Sequence, residues 1–82
     1  MGYRGVPYRR YTHAQDRQDE RAVSKEEIRA VLDSPDVEHP SSAHSGRRVL
    51  RKRFSASREV CVVIVPPHKG DPDVKVVTVW AN

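Results

Sequence analysis

Tyr11–Leu32, YTHAQDRQDERAVSKEEIRAVL, reads as two short helices joined by a tight bend. In the first, His13, Arg17 and Arg21 recur at i, i+4 and i+8, so they project from nearly the same side, with Glu20 beside them. Only Ala14 and Ala22 offer small apolar surface there, which leaves that helix weakly amphipathic. The second helix is conventional. Ser24 followed by Glu27 forms a capping box that satisfies orphan backbone N–H groups. Ile28, Val31 and Leu32 make an apolar stripe, and Asp33-Ser34-Pro35 stops the helix. The His/Arg side of the first helix has two readings. Either it is a solvated face on which Asp16 and Glu20 pair loosely with the arginines, or it lines a cleft that handles phosphate.

Downstream, the chain turns to strands. Asp36–His39, closed by Pro40, suits a short edge strand, where a proline is tolerated. Ser41–Gly46 is loop by composition. Arg47–Phe54, RRVLRKRF, alternates as a strand does: Leu50 and Phe54 share one face, and Arg47, Val49, Arg51 and Arg53 share the other. Lys52 interrupts the apolar face, as expected of a strand only half covered. Ser55–Arg58 turns the chain into Glu59–Val65, EVCVVIV, which is apolar on both sides and is expected at the centre of the sheet. Pro66–Asp73 is a loop, and Val74–Trp80 returns antiparallel to the central strand, with Thr78 and Trp80 expected on the face of Val74 and Val76. The predicted fold class is therefore α+β: two N-terminal helices packed on one face of a three- to four-stranded, mainly antiparallel sheet. Leu50, Phe54 and the stripe of the second helix would supply its core.

Ahead of this domain (residues 11–82), residues 1–10 are expected to form an irregular arm rich in Gly, Pro, Tyr and Arg. Its Arg/Tyr mixture could stack on bases or clamp phosphates. Its tyrosines could equally pack on the domain.

The totals narrow the function classes. A chain of 82 residues buries one modest core. A net charge of +4 favours an anionic partner, nucleic acid first and an acidic protein second. Between Arg47 and Arg58 stand six basic residues, five of them Arg, and no acidic one. Such a strand either blocks edge-to-edge aggregation or meets phosphate, for which the planar guanidinium is well shaped. The single cysteine, Cys61, excludes an internal disulfide and any cysteine-based zinc cluster, and it reads as a small buried hydrophobe. His39 and His44 have no carboxylate at ligand spacing, so neither a metal nor a cofactor is expected. No apolar run approaches the ~20 residues of a membrane span, and the N-terminus lacks the apolar core of a signal peptide. A soluble cytoplasmic protein without membrane contact is the expectation.

The run HAQDRQDERAVSKEEIRAVL resembles the start of a family of small uncharacterised bacterial and phage domains. These carry a His, an Arg four residues on, Glu-Arg-Gly-Ile, and a Ser-x-Glu-Glu helix. A glycine before a basic strand, an apolar central strand and a closing Thr-Val-aromatic follow. The matching features here are His13, Arg17, Glu20-Arg21, Ser24–Glu27, Gly46, Val60–Val65 and Thr78-Val79-Trp80, so the likeness spans roughly residues 11–80. Two positions depart from the pattern. Ala22 replaces the glycine at the bend, which must then form without easy access to positive φ, and Gln18 replaces an apolar residue.

That family looks like part of the barnase/EndoU/colicin/RelE-type group, which includes the BrnT-like toxins of toxin–antitoxin pairs and many metal-independent ribonucleases. The resemblance implies a RelE/barnase-like fold and a metal-independent endoribonuclease, the toxin of a pair, with RNA as substrate and an acidic antitoxin as partner. Cutting RNA without metal needs a base for the 2′-hydroxyl, an acid for the leaving 5′-oxygen and cations for the phosphorane. His13 fits the proton-transfer role because imidazole titrates near neutrality. Arg17 and Arg53 would stabilise the phosphate, Thr78 would hydrogen-bond it, and Arg21, Arg47, Arg48, Arg51 and Lys52 would hold the RNA backbone. The second proton-transfer group is open among His68, Glu20 and the tyrosines. Two other functions compete with the enzyme. One is a non-catalytic module of the same fold that binds nucleic acid or protein. In the other, the charge serves solubility alone.

Overall fold

The computed structural model describes residues 3–10, 23–42 and 44–82. In chain order these form β1 (Tyr8–Arg10), α1 (Lys25–Asp33), β2 (Val37–Pro40), β3 (Arg48–Ser55), β4 (Arg58–Val65) and β5 (Val74–Ala81). The strands make one sheet in the order β1-β5-β4-β3-β2. β1 runs parallel to β5, and the other neighbours are antiparallel.

The helix starts where its sequence dictates. The Ser24 hydroxyl accepts from the Glu27 N–H at 3.1 Å, and the Ser24 N–H donates to the Glu27 carboxylate at 3.0 Å. Glu26 and Glu27 complement the positive end of the helix dipole. At the other end the Lys52 ammonium donates to the Ser34 carbonyl at 2.9 Å, a cation where the dipole is negative. Ile28, Val31 and Leu32 are fully buried against one face of the sheet, where Leu50, Val60, Val62, Ile64, Val74, Val76 and Val79 meet them. β4 holds the centre of the sheet, as its apolar run requires.

The expected architecture needs correcting. The described residues hold one short helix and a five-stranded mixed sheet, not two helices on a three- to four-stranded sheet of RelE/barnase-like plan. The added strand is β1, from the segment expected to be irregular. Three residues give no alternation to detect, and the partner strand lies some sixty residues on, so no local signal announces the pairing. The segment is fastened from several sides. Arg29 donates to the carbonyls of Tyr3 and Val6 at 2.7 and 2.6 Å, and its guanidinium lies over the Tyr8 ring. The Tyr3 hydroxyl donates to Glu38 at 3.0 Å. Burial and that hydrogen bond raise the phenol's pKa. The expected first helix, with His13, Arg17, Glu20 and Arg21, lies outside the described residues.

Two smaller differences concern the strands. Phe54 is 38% exposed and no part of the core, because the β3–β4 ladder shifts register between Arg53 and Ser55. On β5 the ladder shifts as well: Thr78 pairs with Val63 but Val76 pairs with Ile64, leaving Val77 as an extra residue. A bulge of this kind inverts the alternation that follows it. Val79 is therefore buried under the helix, and Thr78 and Trp80 lie on the sheet's opposite face rather than with Val74 and Val76.

Candidate nucleic-acid interface

Alternation along β3 sends Leu50 toward the helix and Val49, Arg51 and Arg53 to the opposite face. No described element packs on that second face: the helix meets β3 and β4 only through the core already described. Its residues stand in two cross-strand rows. Val37, Arg51, Cys61 and Trp80 form one, and His39, Val49, Val63 and Thr78 form the other. Neighbouring strands lie about 4.8 Å apart, so Arg51 and Trp80, two strands apart, have Cα atoms roughly 10 Å from each other. Val49, Cys61 and Val63 are buried at the centre, while Arg51, Thr78 and Trp80 remain partly exposed. Burial raises the pKa of the Cys61 thiol, which keeps this floor uncharged.

The basic residues of the strand divide into two groups. Arg48 and Lys52 have structural partners. The Arg48 guanidinium donates to Glu38 at 2.8 Å, and Lys52 reaches both the Ser34 carbonyl and, at 3.9 Å, Asp36. Arg51 and Arg53 are less committed. Arg51 stands 3.7 Å from Glu59, a loose pair, and Arg53 donates to the Ala56 carbonyl at 3.1 Å. Arg47, in the loop that Gly46 turns with φ of +80°, makes no ion pair among the described residues.

At the β1–β5 end, positive charge is neutralised. Arg9 pairs with Asp71 at 2.6 Å and Asp73 at 3.5 Å, and Lys75 pairs with Asp71 at 2.8 Å. The Lys75 hydrogen bond is the main cause that holds the Asp71 carboxyl below its ordinary pKa. On the second face, the cations without a close ion pair lie toward β3: Arg53, the loosely paired Arg51 and, in the loop before the strand, Arg47.

Of the sequence-derived candidates, the structure brings Arg51, Arg53 and Thr78 onto one face and sets Arg48 and Lys52 apart from them. His13, Arg17 and Arg21 lie outside the described residues. Sequence reasoning missed Trp80 as a member of this face, because a Val-Val-Thr-Val run carries no mark of a bulge. Two proton-transfer groups of the face, His39 and Glu59, sit two strands and four residues apart, roughly 16 Å by strand geometry. His68 lies in the β4–β5 loop, bridged to Asp71 through backbone hydrogen bonds. Among the described residues, no three His, Cys, Asp or Glu side chains cluster as metal ligands, and no helix is long and apolar enough to cross a membrane. A groove of about 480 Å³ runs along the helix, lined by Tyr8, Glu26, Arg29 and Asp33 among others. Its mixed charges favour no single class of ligand.

A sequence-family profile described as a domain of unknown function (DUF4258) matches residues 11–81. No curated protein and no solved structure matches the chain. Nothing in these comparisons links the chain to the RelE or barnase ribonucleases.

Proposed function

We propose, for a chain that belongs to the DUF4258 family of domains, that it acts on RNA as a metal-independent endoribonuclease of the RelE/BrnT type. The RNA backbone lies across the face of the sheet that no described element covers. One observation carries the reading: Arg51, on the strand beside the central one, and Arg53, at the hairpin end of the same strand, stand on a face that no described element covers and that Thr78 shares. Guanidinium groups on a fixed strand suit bidentate phosphate contacts. The reading assigns proton transfer to His13 and the second phosphate contact to Arg17, both outside the described residues.

The reaction uses the RNA's own 2′-oxygen. A base removes its proton, the oxygen attacks phosphorus, and the bond to the 5′-oxygen breaks as an acid protonates it. A 2′,3′-cyclic phosphate and a 5′-hydroxyl result, and no water is consumed. Arg17 and Arg53 offset the charge that builds on the phosphorane, and Arg47 and Arg51 hold the flanking backbone. An acidic antitoxin would cover the same arginines.

A binding module that does not cut RNA is the second reading. The wide separation of His39 and Glu59 favours it, because the described part of the face then lacks an acid–base pair. Purified protein incubated with end-labelled RNA in chelator separates the two. The enzyme gives cyclic-phosphate ends, and His13→Ala slows cutting by about 100-fold or more. Binding without cutting leaves the module. No binding at low salt overturns both.

A further inference from the structure

We infer that the RNA held on this face is single-stranded, with one unpaired base stacked on the indole of Trp80. The inference rests on the RNA reading above and names its substrate class.

Trp80 is the only tryptophan of the chain. Were β5 regular, the ring would point to the helix side with Val76. The extra residue at Val77 turns it, together with Thr78, to the face that carries Arg51 and Arg53. There it is partly exposed rather than fully buried. The floor beside it is apolar: Cys61 stands directly opposite on β4, and Val63 lies next along that strand. Such a floor offers shape and stacking but little hydrogen-bond readout of base edges. Beyond Cys61 in the same row comes Arg51, roughly 10 Å from Trp80 by strand spacing. A base on the ring and phosphates at the guanidinium then belong to one short segment of strand.

A sheet that pairs a partly exposed aromatic ring with flanking basic side chains matches how unpaired RNA is held, because every base has a π face that stacks without regard to sequence. A duplex cannot use this site. Its base faces are stacked on each other, and it presents only backbone and groove edges. Charge would still bind a duplex, but the ring would add nothing.

The sole tryptophan makes its own reporter. Labelled oligoadenosine and an adenosine–uridine duplex of equal length are titrated into the protein at low salt. RNA anisotropy and indole emission are read together. The single strand is expected to raise anisotropy and quench emission in one saturable transition, whereas the duplex raises anisotropy without quenching. Trp80→Leu weakens single-strand binding on the order of ten-fold and leaves the duplex unchanged, and Trp80→Phe recovers part of the loss. Single-strand binding with unquenched emission overturns the stacking inference and leaves the RNA reading standing. Equal losses for both RNAs in Trp80→Leu do the same. No anisotropy change with either RNA overturns the RNA reading itself, and the inference with it.

Discussion

The two faces of the sheet are built from the same strands and serve opposite ends. Toward the helix stand Leu50, Val60, Val62, Ile64, Val74, Val76 and Val79, all buried under Ile28, Val31 and Leu32. The charged groups at that rim, Arg48 and Lys52, are tied to Glu38, the Ser34 carbonyl and Asp36. The other face has a narrow apolar centre of Val49, Cys61 and Val63, and around it Arg51, Arg53, Thr78 and Trp80 remain accessible. Burial on the first face stabilises the fold, and on the second, side chains are displayed more than they are packed. The comparison teaches that charge along β3 is sorted by parity. Even positions carry cations tied into the architecture, and odd positions carry arginines with looser contacts.

Breaking that sorting should cost most in the helix-side core. Leu50→Ala should lower stability by about 3 kcal/mol in denaturant titrations. On the opposite face the reference substitution, Val49→Ala, removes less volume from a thinner layer and should cost less. Parity between the two would erase the distinction.

Smaller again is the helix start, where Ser24→Ala removes one half of the capping box and should cost about 1 kcal/mol. Next comes the acid limb of stability. Glu27 is held below its ordinary pKa of 4.5, chiefly by the hydrogen bonds of Arg58 at 2.7 and 2.9 Å. A carboxyl lowered on folding contributes stability that is present above its unfolded pKa and lost as pH falls through the folded one. Glu27→Gln should therefore flatten the decline below about pH 4.5 in acid titrations. Least of all, Arg53→Gln on the second face should shift stability by no more than about 0.5 kcal/mol.

Much of this was readable in the residues because it is local. Ser24 and Glu27 announce the helix, the apolar run of Val60–Val65 announces a central strand, and the alternation of β3 separates Leu50 from Arg51 and Arg53. What escaped depends on distant pairing. Tyr8–Arg10 becomes a strand only because β5 offers an edge, and Glu38 claims Arg48 only because β2 folds beside β3. The faces of Thr78 and Trp80 were inverted for the same reason, since the bulge is a property of the β4–β5 ladder and not of the Val76–Val79 run. Phe54 read as core from its spacing, yet the hairpin end leaves it partly in water.

The salt dependence of RNA binding tests the central claim most directly. Each phosphate contact to a single strand contributes about 0.7 to the slope of log K against log salt. If Arg51 and Arg53 each hold a phosphate, the double variant Arg51→Gln/Arg53→Gln should bind single-stranded RNA with a slope shallower by about 1.4, while Arg48→Gln leaves the slope unchanged. A double variant with the wild-type slope, or a slope that moves with Arg48 instead, would contradict the assignment of this face to RNA.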